Sequence, residues 1–212
     1  MKTPHNKTSL WQHESPLLLA SGSKARRALL EGAGIPLVTY SPAVDERLIE
    51  AGLVVRGAGA ATVARRLASA KAIAAGSHAS AGQIILGADQ TLSLGDQLFH
   101  KAADVTELVI QLSSLSGKTH ILHSAISVFR DGTEIYSVVT NAALTMRELS
   151  MAFINGYISM AGVGIYDCVG GYQLEGLGIH LFDRVEGDHP TILGLPLYPL
   201  LKFFRSSGYL EA

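Results

Sequence analysis

The sequence predicts an α/β fold built around a strongly twisted mixed sheet, and three observations carry that expectation. Residues 16–34 read as strand, small-residue turn and helix. The turns Gly95-Asp96 and Asp131-Gly132 each separate two alternating apolar runs, the signature of a hairpin. Around these hairpins, residues 62–75 and 105–115 carry apolar side chains at helical spacing.

At 212 residues the chain is expected to form a single domain over residues 16–212, with residues 1–15 as a loosely held arm. That arm is polar and lacks the apolar core of a signal peptide. Lys and Arg number 17 against 18 Asp and Glu, so a net charge of -1 offers no basic footprint for a nucleic acid polymer or an acidic membrane. Any phosphate binding must be local. The lone Cys168 fits a reducing cytosol. No apolar run approaches the roughly 18 to 20 residues needed to cross a bilayer. A soluble, cytoplasmic protein is expected.

In chain order, Pro16 to Ala20 is an apolar strand, and Ser23 caps a helix from Ala25 to the stop at Gly34. Lys24, Arg26 and Arg27 crowd that helix's first turn, where cations oppose the dipole and call for an anion. Leu37 to Val44 reads as a strand ending in Asp45 and Glu46, which alone would be solvated carboxylates. Residues 52–59 read as a Gly-rich loop, and Thr62 to Ala75 as a helix on which Lys71, taken by itself, is a surface residue. Ile84 to Leu86 form a buried strand that delivers Asp89 past Gly87 and Ala88, two residues too small to shield it. If the hairpin at Gly95-Asp96 pairs as expected, Lys101 returns toward Asp89. A carboxylate beside an ammonium is the geometry of a phosphate or metal site.

Asp104 caps the next helix, whose stripe runs through Leu108, Leu112 and Leu115. Gly117-Lys118-Thr119 resembles the tail of a Walker loop, but Leu112 stands where that motif needs Gly, which excludes it. Residues 121–129 and 134–139 pair across Asp131-Gly132, and residues 142–147 begin a further strand-like run. His120 and His123 fall on opposite faces of a strand, which argues against a zinc pair. A helix over residues 148–161, a Gly-rich loop carrying Asp167 and Glu175, a strand over 179–185, a turn over 186–190 and a helix over 196–204 complete the chain.

Taken together, LASGSKARRALLEGAGI, VDE at residues 44–46, RLASAKA, ILGADQT followed by HK, LSGKTH, TMREL, EGLG, LFDRVEGD and LGLPL resemble the Maf family of nucleoside triphosphate pyrophosphatases. The resemblance covers nearly everything from Leu17 to Phe204. It implies an elongated, two-lobed fold like that of the inosine triphosphatases, with a central cleft, and a homodimer. The implied reaction is Mg2+- or Mn2+-assisted hydrolysis of a nucleotide substrate to its monophosphate and pyrophosphate. Residue by residue, Asp89 falls on the family's catalytic carboxylate, and Ser21, Ser23, Arg26 and Arg27 fall on its phosphate loop. Glu46, Lys71 and Lys101 fall on cleft residues, with Asp89 and Glu46 as the metal ligands.

Gln90 and Glu175 match the branch acting on 7-methyl-guanosine triphosphate, where a carboxylate suits the N–H groups of guanine. The chain departs from the family's pattern at Lys24 and Ala25, where Ser-Pro is followed by Arg or an aromatic residue, and at Ala102, where Pro is usual. A second reading, from another class, is a non-catalytic nucleotide-binding regulator that inhibits septum formation in cell division. Fold is common to both readings.

Overall fold

The computed structural model describes residues 10–211. Among them run β1 (Leu17–Ala20), α1 (Lys24–Gly32), β2 (Leu37–Thr39), α2 (Glu46–Val54), α3 (Ala60–Ala75), β3 (Ile84–Leu94) and β4 (Gln97–Phe99). There follow α4 (Val105–Leu115), β5 (Thr119–Arg130), β6 (Thr133–Met146), α5 (Met151–Ala161), β7 (Phe182–Glu186), α6 (His189–Ile192) and α7 (Leu197–Ser206).

The seven strands form one mixed sheet in the order β2-β1-β3-β5-β6-β7, with β4 also paired to β3. β1 lies parallel to β2 and β3, and the remaining pairs are antiparallel. One edge of β3 decides where a site can form. β5 pairs with β3 from Ile84 to Ser93, while on the other side β1 reaches only Gly87 and β4 begins only at Leu92. Residues 88–91 therefore have a strand neighbour on one side only, and the gap opens at Asp89.

Two apolar clusters meet at that gap. Ile84, Leu86 and Ala88 pack with Leu30, Leu195, Leu200 and Phe204, whereas Leu92 packs with Leu108, Leu112, Leu122, Ile154 and Tyr157. Gln90 sits at the seam, between Ala88 of one cluster and Leu92 of the other. The opposite face of β3 is covered by α3, which buries Ala64, Leu67, Ala68 and Ala72. That approach needs Gly87: a Cβ there would stand 2.0 Å from the Ala68 carbonyl oxygen and 2.9 Å from the Ala72 Cβ.

Several expectations are corrected. The acidic pair Asp45-Glu46 is not a strand end, because β2 stops at Thr39, the last residue paired with β1. Instead Asp45 caps α2, accepting from the Leu48 N–H at 3.0 Å, and the helix runs on through Gly52 into the stretch expected to be a loop. A mid-helix Gly costs only about 1 kcal/mol, and the cap offsets it. Residues 133–146 form one unbroken strand rather than two, since Thr140 and Asn141 keep their register with Ser124 and His123. The strand expected over 179–185 begins only at Phe182, after a tight turn over Leu177–Leu181.

Within the segment expected to be a loose arm, residues 1–9 lie outside the described residues. Trp11 is buried edge-on against Phe204, with ring centroids 5.3 Å apart, and bridges Leu210. Among the described residues no helix is long and apolar enough to cross a membrane.

Candidate functional site

The gap beside β3 opens into a cleft of about 360 Å³. One end is polar, with Ser23, Arg26, Glu46, Lys71 and Asp89. The other is walled by Leu122, Val169, Tyr172, Leu174, Ile192 and Leu193.

Asp89 is the buried centre of the polar end, only 6% exposed. Because α3 lies so close to Gly87, Lys71 extends to it, with Nζ 2.5 Å from Asp89 Oδ1. The same ammonium stands 2.7 Å from Oε1 of Glu46, in the first turn of α2. Burial pushes the Asp89 carboxyl above its ordinary range and outweighs the opposing pull of Lys71 and Arg26. A carboxylate poised higher than usual is a better proton acceptor near neutral pH. Its Oδ2 accepts no hydrogen bond among the described residues.

The loop expected to bind phosphate divides in a way that residue type alone does not disclose. Arg26 turns inward: Nε donates to the Gly194 carbonyl at 2.8 Å, and a terminal nitrogen donates to Ser21 Oγ at 3.0 Å and to the Ala88 carbonyl at 2.9 Å. Burial lowers its pKa, with Asp89 and Glu46 pulling the other way. Ser21 is buried and holds Arg26 rather than lining the cleft, while Ser23 caps α1 by accepting from the Arg26 N–H at 3.3 Å. Ala25 lines the cleft. Arg27 does not: one residue further round the helix, it is exposed and paired with Glu31 at 2.7 Å.

Lys101 lines the cleft but is not the ammonium that pairs with Asp89. β4 ends at Phe99, opposite Leu92, which leaves Lys101 two residues beyond the strand and exposed. Gln90 and Glu175 also line the cleft, Glu175 from an exposed loop position. The sequence reading missed Glu50 and His100, a pair at 3.3 Å joining α2 to the segment after β4 within the same lining. It also missed the short helix α6, for which Asp188 as cap and Pro190 in the first turn were the available signal.

His120 and His123 point to opposite faces. His120 is buried 2.7 Å from the Tyr172 hydroxyl, and burial lowers its pKa to about 4, whereas His123 bonds Ser93 and Asn141. Among the described residues no group of three or more His, Cys, Asp or Glu side chains is arranged to hold a metal. Asp89 and Glu46 nevertheless bring two carboxylates to one ammonium. That donor set fits a Mg2+-like ion, which takes one or two protein carboxylates and completes its shell with water and substrate phosphate.

Residues 16–207 match the family model described as Maf-like protein. A nucleoside triphosphate pyrophosphatase of Rhodopseudomonas palustris (strain BisB18) is 47% identical over 204 residues, covering 95% of this chain and 98% of that protein. The protein of the same name from Nitrobacter winogradskyi is 46% identical over 205 residues, covering 96% and 99%. A 7-methyl-GTP pyrophosphatase of Brucella abortus is 48% identical over 189 residues, covering 89% of this chain and 94% of that one.

Proposed function

The chain belongs to the Maf family, and on that premise we propose that it hydrolyses a nucleoside triphosphate to the monophosphate and pyrophosphate. The observation that carries this reading is the cluster of the buried Asp89, the partly buried Lys71 and the exposed Glu46 at the polar end of a cleft whose other end is apolar. A polyphosphate fits the first end and a nucleobase the second.

Cleavage between the α- and β-phosphates requires a proton acceptor for water and positive charge against the phosphate oxygens. Asp89 takes the proton at Oδ2, the oxygen not engaged by Lys71. Lys71 and Lys101 face the oxygens on which charge develops, and Lys71 also holds the Asp89 carboxylate in place. Arg26 ties the Ala88 carbonyl to Gly194 and so fixes the strand on which Asp89 rides. Glu46 and Asp89 would hold Mg2+ or Mn2+, which supplies further charge neutralisation when bound.

At the apolar end, Glu175 offers acceptors to the N–H groups of guanine, which favours guanosine or 7-methyl-guanosine triphosphate, the latter echoing the name of the Brucella abortus relative. In this reading the protein acts in the cytoplasm as a homodimer, on free nucleotide rather than on a polymer. The net charge of -1 supports that choice.

The test is to incubate the purified chain with a panel of triphosphates and magnesium and to measure pyrophosphate. Release no faster than from a heat-killed control would overturn catalysis and favour the non-catalytic regulator.

A further inference from the structure

We propose that Ser124 and Thr191 are positioning residues that set the polarity of the Gln90 amide, so that Gln90 enters the cleft as an acceptor and selects a nucleobase edge bearing an N–H donor. The inference rests on the nucleotide reading of the cleft and deepens it.

Nε2 of Gln90 lies 2.8 Å from Ser124 Oγ, 3.2 Å from the Thr191 carbonyl oxygen and 3.0 Å from that of Ile192. None of the three can donate to it. The two carbonyls carry no proton, and the Ser124 hydroxyl spends its own on the Thr191 carbonyl at 2.6 Å, turning its lone pairs toward Gln90. An amide rotated by half a turn would set its oxygen against three acceptors, which is electrostatically repulsive and forfeits the hydrogen bonds that the nitrogen makes to them. The nitrogen is therefore held inward. Oε1 accepts no hydrogen bond among the described residues, and Gln90 lines the cleft.

The cradle is itself anchored. Ser124 and Thr191 are fully buried. Thr191 donates from its backbone N–H to Asp188 Oδ1 at 2.8 Å and from its hydroxyl to Asp188 Oδ2 at 2.7 Å, while the Thr140 hydroxyl lies 2.9 Å from Thr191 Oγ1 and must donate to it. These bonds fix the carbonyl that Gln90 reads. Strand alternation puts Gln90 on the face of β3 opposite Asp89, so the group meeting the base is one residue from the group meeting the phosphates yet separated from it by the strand. Leu122, Tyr172 and Ile192 supply apolar wall beside it for a ring.

The experiment compares guanosine triphosphate with purine riboside triphosphate, whose ring lacks both the exocyclic amine and the ring N–H. It reads the ratio of kcat/KM values and, independently of turnover, the ratio of Kd values for the two monophosphates by calorimetry. Gln90→Met should lower both ratios by about tenfold, the scale of one hydrogen bond. Ser124→Ala should lower them in the same direction, and the double variant no further than Gln90→Met alone. A merely structural Ser124 would weaken both nucleotides equally and add to Gln90→Met, and either result overturns the proposal. Should Ser124→Ala fail to fold, Gln90→Glu serves instead. It sets an oxygen against the Thr191 and Ile192 carbonyls, and wild-type ratios in that variant also overturn the proposal. A wild-type chain that turns over no triphosphate sinks the pyrophosphatase reading alone, because the Kd ratios still test Gln90.

Discussion

Asp89 and Lys71 meet at 2.5 Å, Oδ1 to Nζ, across 18 residues of sequence and from two different elements. The contact exists because Gly87 lets α3 lie against β3 two residues before Asp89. Its chemistry and its steric basis can be tested separately.

Replacing the carboxylate tests the chemistry. Asp89→Asn should lower kcat by at least ~100-fold, the scale of a lost general base, while leaving the far-ultraviolet circular dichroism spectrum intact. A variant with near-normal kcat would sink the assignment.

Removing the ammonium tests the electrostatics. Burial raises the Asp89 pKa and Lys71 lowers it, so Lys71→Met takes away a term that favours the ionised carboxylate. Because burial already raises the Asp89 pKa, the acid limb of kcat/KM against pH should lie above the ordinary carboxylate range in the parent. In the variant it should move to higher pH, and kcat/KM should fall at every pH. Lys101→Met, which pairs with neither carboxylate, should reduce kcat/KM without moving the limb. An unmoved limb in Lys71→Met would break the coupling to Asp89.

The steric basis is open to a single methyl group. Gly87→Ala sets a Cβ 2.0 Å from the Ala68 carbonyl oxygen, a backbone atom that can yield only if α3 moves outward. Overpacking of this kind costs about 1 to 3 kcal/mol, to be read as a lower urea midpoint. Because α3 carries Lys71, activity should fall even under conditions where the variant is fully folded. A variant as stable and as active as the parent would show that the helix does not depend on that glycine.

Base selection is tested at the rim of the cleft. Glu175→Gln exchanges an acceptor-only carboxylate for an amide and should depress hydrolysis of guanosine and 7-methyl-guanosine triphosphates more than that of thymidine triphosphate. An equal effect on all three would show that Glu175 does not read the base.

By itself, the sequence determined what depends on neighbours along the chain. Ser23 and Asp104 cap helices through bonds to the residue three positions on, and Gly95-Asp96 turns a hairpin, because these choices are closed within a few residues. Asp89 was legible as the carboxylate that follows the apolar run Ile84 to Leu86, but the run is not a strand that ends there: β3 continues to Leu94 and Asp89 lies in its middle. α2 was not legible, since Gly52 reads as a breaker and only the whole helix, cap included, outweighs it.

The tertiary structure alone decided which of the chemically suited side chains converge. Arg26 turns inward because the Ala88 and Gly194 carbonyls, 62 and 168 residues away, accept from it, whereas Arg27, about 100° further round the same helix, meets solvent and Glu31. Lys71 looks like a surface lysine until α3 packs on Gly87, and the Gln90 amide owes its orientation to carbonyls 101 and 102 residues later. Periodicity along a chain reports which face a residue occupies. It carries no record of what another segment brings to that face, so a site assembled from α1, α2, α3, β3 and the loop after α6 takes its polarity and its pairing from packing.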